Sequence, residues 1–187
     1  TELWEALNVT WNQLPAHALI NQPHAFFGWV RERATLVSGI VDSTISRDDT
    51  WNFLVLGRSV ERADMTARLL TTRALAGAAG PDWTTMLRSC GAYEAYVRRV
   101  RGSGSDRQAA GFLLVDRVFP RSVVFALGKA EQCLLALDPQ SDHDAVDEAR
   151  RNLGHARTDL EYRRLDEVLE QLPERMENVQ RACAAAS

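Results

Sequence analysis

Charged side chains interrupt two otherwise apolar helical stripes in this sequence, and they are the residues whose types and spacing could do chemistry. In the segment from Trp51 to Leu70, Arg58, Glu61 and Arg62 fall within two turns of one helix. Arg58 and Glu61 stand three apart, the spacing at which a guanidinium and a carboxylate share a helix face. Arg33 breaks the stripe of Phe26, Val30, Val37 and Ile40 in the same way. One reading is a network of ion pairs that fixes how the helices sit, in which each arginine needs a partner because an unpaired buried charge is costly. The other is a ligand site, with Arg33, Arg58 and Arg62 holding a carboxylate or phosphate and Glu61 acting as acid or base. Three arginines to one glutamate leave positive charge over, which suits an anion. Both readings stand at this level, and Gly57 is expected to let another chain segment approach closely beside them.

The remaining candidates are weaker. His17, His24, His143 and His155 form no pair at ligand spacing on one uninterrupted helix, so no metal site is expected. Cys90, Cys133 and Cys183 lie singly in apolar segments and read as small core residues, not as nucleophiles or a disulfide framework. Gly102-Ser103-Gly104 lacks the strand and lysine of a phosphate loop and reads as a linker. Arg98, Arg99, Arg101 and Arg107, with Tyr93 and Tyr96 nearby, make a local basic patch whose plainest reading is a solvated face. Asp116 precedes Phe119-Pro120-Arg121-Ser122 and is expected to cap or pair, since no nucleophile and base stand together there.

Apolar residues recur at three and four along almost the whole chain, the helical period, and no segment reads as a strand. Helices are expected over Thr1–Ile20, interrupted at Pro15, and over His24–Ile45, Asp48–Ala76 and Asp82 to about Val97. Asp106–Val115, Arg121–Leu137, Ser141–Asp159 and Glu161–Ala185 follow, the last kinked at Pro173. Within Asp48–Ala76, Phe53, Leu56, Val60, Ala63, Ala67 and Leu70 make one apolar stripe. Trp51, Leu54, Met65 and Leu69 make a second group on the far side, which predicts that this helix is enclosed on both flanks. The expectation is an all-α antiparallel bundle of about seven or eight helices around that long central helix, forming a single domain over residues 1–187.

The chain has 187 residues, 45% of them hydrophobic and 25% charged, enough to build a core without disulfides or a structural metal. Of its 22 basic residues only Lys129 is lysine, and the net charge is -3. An acidic balance argues against a general polyanion binder, so nucleic acid is not expected as a partner. No apolar run is long enough to span a bilayer and nothing at the start resembles a signal peptide, so a soluble, cytoplasmic protein without membrane association is expected. The chain begins at Thr1, already inside a helical pattern, which suggests an excised fragment or a processed or disordered terminus.

Leu56-Gly57-Arg58-Ser59-Val60-Glu61-Arg62-Ala63-Asp64-Met65-Thr66-Ala67-Arg68-Leu69-Leu70 resembles the signature of the alpha-E domain family, all-helical bacterial proteins named for a glutamate-arginine motif. His24-Ala25-Phe26-Phe27, Val30-Arg31-Glu32-Arg33, Ser89 to Tyr96, Phe112 to Asp116 and Phe119 to Ser122 add to the likeness. Ser59 and Val60 stand where that family commonly has an aromatic residue and a leucine, which leaves the charged positions unaltered. Family members usually begin with an earlier helical segment carrying another copy of the motif, so the resemblance is to the C-terminal portion. It implies association with a circularly permuted ATP-grasp protein, often alongside a transglutaminase-like protein, in systems that make or cut peptide-like amide bonds. The expected role is an accessory or ligand-binding helical domain of such an amide or peptide ligase system, with no cofactor and no independent catalysis. The alternative is an enzyme whose Arg/Glu pocket acts on a carboxylate- or phosphate-bearing, peptide-like substrate.

Overall fold

The computed structural model describes residues 2–100, 104–140 and 143–187. Arg101 of the basic patch, Gly102 and Ser103 of the expected linker and the expected helix start at Ser141 lie outside the described residues, as does Thr1. The fold is all-α. Among the described residues there are eleven α-helices and no strand. They are α1 (Glu2–Asn12), α2 (Ala18–Asn21), α3 (Pro23–Thr44), α4 (Asp49–Ala76), α5 (Trp83–Ser89), α6 (Tyr93–Val100), α7 (Asp106–Val115), α8 (Val123–Leu137), α9 (Asp144–Glu161), α10 (Leu165–Glu170) and α11 (Leu172–Ala185).

The count exceeds expectation because three predicted helices are each divided. Pro15 separates α1 from α2. Gly91, at φ 60°, separates α5 from α6. There the Gly91 N–H donates to the Arg88 carbonyl and the Ala92 N–H to that of Leu87, 2.9 and 2.7 Å, a Schellman close that needs a left-handed residue. Tyr162 ends α9, and α10 and α11 part at Gln171, with Pro173 in the first turn of α11, where its missing N–H costs no helical bond.

The chain falls into two compact units, residues 1–51 and 52–187. In the first, α1 and α2 pack on α3. Its sealed interior is small: Ala6 and Val41 are buried, whereas Phe26, Arg33, Val37 and Ile40 of the predicted α3 stripe are half-buried and Val30 is exposed.

The second unit holds the larger core. There α9 packs on α8 and on α11, and α7 on α5, α6, α8 and α9. Leu127, Leu153, Leu160, Val168 and Met176 are sealed, each leucine contributing roughly 1.5–3 kcal/mol. Ser122 starts α8 by accepting the Phe125 N–H at 3.2 Å, while its own hydroxyl donates to the Asp116 carbonyl. A capping box of Ser105 and Gln108 starts α7.

Two glycines set how closely α8 and α9 approach. A Cβ at Gly128 would meet Arg157 Cδ at 3.3 Å, and one at Gly154 would lie 2.5 Å from Glu131 Oε1. Each helix thus gives up a side chain where the other inserts a charged one. In that space the Arg157 Nε–H donates to Glu131 Oε2 at 2.7 Å. Arg157 Nη1 donates to Glu161, whose other oxygen lies 2.8 Å from Arg117 Nε.

Candidate functional site

The long helix α4 carries the charged motif, and its burial runs down one side. Leu56, Ser59, Val60, Ala63, Thr66, Ala67 and Leu70 are buried, in steps of three and four. The small residues on this face let neighbours come close, and the Thr66 hydroxyl donates to the Arg121 carbonyl at 3.0 Å. This matches the predicted stripe except at Phe53, which is 63% exposed.

The opposite face differs from expectation. Trp51 and Leu69 are half-buried, but Leu54 and Met65 are 39% and 55% exposed, so the helix is not enclosed on both flanks. Polar neighbours explain this. At about 100° per residue the second apolar group shares its face with Arg58, Glu61, Arg62 and Arg68, whose charged ends keep that face wet. Trp51, Leu54, Arg58, Glu61, Met65, Arg68, Thr72 and Leu75 follow one another at alternating steps of three and four. That is the spacing of a seam that receives a second helix.

Arg58 and Arg62 are half-buried, each engaged in polar or electrostatic interactions, and Glu61 is exposed. Arg33 lies on α3 in the first unit, half-buried, its Nε–H sealed without a hydrogen-bond acceptor. Gly57 does not have the close-approach role expected of it, because a Cβ there would meet nothing within 4 Å. One turn beyond the motif, the Arg68 Nε–H donates to Asp64 Oδ2 at 2.6 Å. The Asp64 hydrogen bond, then its charge, and more weakly that of Glu61, raise the Arg68 pKa.

Elsewhere in the second unit, carboxylates and arginines hold one another. Burial opposes the charge on Arg157, yet Glu131 and Glu161 overcome it and leave its pKa raised. Asp159 accepts from Arg163 and from Arg175, both at 2.6 Å, and these bonds keep its carboxyl below the usual range despite burial. Sequence spacing reaches Arg163 from Asp159. It does not reach the pairs between helices, which depend on packing.

The cysteines are core residues, as their segments suggested. All three are free and buried. Burial raises the pKa of each thiol, and Cys183 is pushed up to about 12, with the charges of Asp64 and Glu61 adding to the effect. Held protonated, they are poor nucleophiles. Asp116 caps, as expected: its Oδ1 accepts the Val118 and Phe119 N–H groups at 2.9 and 2.8 Å. Among the described residues no helix is long and apolar enough to cross a membrane.

The sequence model of the Alpha-E family, described as a predicted alpha-helical domain with a conserved ER motif, matches residues 1–187. No curated protein and no solved structure matches the chain.

Proposed function

The chain belongs to the Alpha-E family, and from that premise we propose that it is an accessory docking domain of an amide or peptide ligase system. Its ER turn on α4 receives a helix of a circularly permuted ATP-grasp protein. The observation that carries this reading is the position of the motif. Glu61 is exposed, opposite the buried stripe, between Leu54 and Met65 on the open face of α4. Alternating apolar and charged residues at such spacing select a partner helix, the apolar positions supplying area and the charged ones orientation. The enzyme reading draws less support, because the thiols are buried and protonated and the carboxylates of Glu131, Glu161 and Asp159 are engaged by arginines.

Titrating the chain with its ATP-grasp protein tests this by calorimetry. Binding is expected, with Met65→Asp and Glu61→Arg each weakening it at least 10-fold while leaving the circular dichroism spectrum unchanged. ATP-independent hydrolysis or transfer by the chain alone, abolished in Glu61→Gln, would overturn the reading in favour of an enzyme. Unaltered binding by both variants would remove the ER face from the interface.

A further inference from the structure

Away from the ER face, α6, α7 and the turn over residues 116–120 enclose two adjoining grooves in the second unit, of about 240 and 540 Å³. The smaller is apolar, lined by Ala95, Phe112, Val118, Phe119 and Pro120. Its aromatic floor is built: Phe112 meets Tyr96 edge to face at 5.6 Å between centroids and Phe119 at 5.1 Å. Above it Val118 stands 71% exposed, an apolar side chain without cover. The larger groove continues past Gln108, Gly111 and Leu165.

Arg99 and Asp116 form the wall common to both grooves. Each has bonding capacity unspent. The Arg99 side chain is 68% exposed, and among the described residues its one ionic partner is Asp116, at 3.8 Å, beyond hydrogen-bond distance. Its five N–H donors are therefore open to a ligand. Asp116 is only 9% exposed, and the two backbone N–H groups on Oδ1 fix its plane. Among the described residues its Oδ2 has no donor closer than Arg99. A carboxylate this sheltered gains from a further N–H donor. Arg107 and Arg117, which also line the larger groove, are held by Asp166 and Glu161, at 2.7 and 2.8 Å. The groove therefore carries little net charge, which disfavours a polyphosphate and suits a single carboxylate accompanied by an N–H.

We propose that these grooves bind the C-terminal end of a peptide whose last residue is apolar. The terminal side chain enters the smaller groove, the terminal carboxylate takes the Arg99 guanidinium, and the last amide N–H donates to Asp116 Oδ2. The larger groove receives the preceding residues. This site shares no residue with the ER face and does not depend on the docking reading.

Fluorescence anisotropy on the full chain, with a labelled Gly-Gly-Gly-Leu peptide as probe, tests the proposal. The free acid is expected to bind, and its C-terminal amide and its N-methylated form at the last peptide bond at least 10-fold and several-fold more weakly. Replacing the terminal leucine by aspartate should abolish binding, since it places a charge against Phe112 and Phe119. In the protein, Arg99→Ala should lower affinity at least 10-fold and Arg99→Lys less. Both changes are at an exposed position and leave the fold intact. Arg181→Ala, remote from the grooves, should change nothing. Equal binding of acid and amide, indifference to Arg99→Ala, or no binding at millimolar peptide would each overturn the proposal.

Discussion

At the scale of single residues, the charges that matter most to stability are those shared between helices. Arg157 lies 27% exposed between Glu131 and Glu161, which are 18% and 11% exposed. Arg157→Ala leaves Glu131 without its guanidinium and Glu161 with Arg117 alone, and should cost about 3 kcal/mol in chemical denaturation, with Arg157→Lys recovering only part. Cys183 gives a pH signature instead. The folded thiol keeps its proton to about 12, whereas the unfolded one releases it near 9.0. Between those values the unfolded chain binds fewer protons, so this contribution is complete below pH 9 and is lost as pH rises. By about pH 10.5 the loss should reach roughly 2 kcal/mol, and Cys183→Ala should flatten that alkaline slope. That Arg58, Glu61 and Arg62 share a face with the second apolar group was legible from residue type and period; that this face is open was not, because those apolar residues predicted enclosure. Arg157 was not, because its partner Glu131 is 26 residues distant and the meeting depends on how α8 and α9 pack.

At the scale of elements, the same substitution should act in opposite directions at two helical glycines. Gly57 faces open space, so Gly57→Ala should raise stability by about 0.5–1 kcal/mol through the unfolded chain and helix propensity. Gly154→Ala brings a Cβ to 2.5 Å from Glu131 Oε1 and pushes that carboxylate off Arg157, so thermal melts should show a net loss. In a Glu131→Ala background the Gly154 change should become neutral or favourable. At the start of α8, Ser122→Ala removes the cap on Phe125 and the bond to the Asp116 carbonyl, and should cost about 1–2 kcal/mol. Periodicity revealed which segments are helical, but not where they break. A glycine such as Gly91 is read equally as an interior residue or a terminus until its φ is known, and the split at Gln171 depends on tertiary packing.

At the scale of the molecule, the two units differ in how much of themselves they bury. The first leaves Trp4, Trp11, Ile20 and Phe27 between 60% and 84% exposed and seals little of its own interior. Its amides should therefore exchange with deuterium at least about 10-fold faster than those of α8 and α9, as measured by mass spectrometry on the whole chain. The all-helical class followed from the period of the apolar residues, whereas this imbalance did not, because an amphipathic pattern shows which residues could be covered and not whether a neighbour covers them. In the second unit, the glycine spaces of α8 and α9 bear on motion. Sliding one helix along the other by a turn, roughly 5.4 Å, would lift Arg157 and Glu131 from their recesses and drive them against occupied positions. The two helices act as a pawl seated in its ratchet, so the pair travels as one rigid body. Displacement within this unit should be taken up at the breaks between its helices, such as Gly91 or the step from α10 to α11.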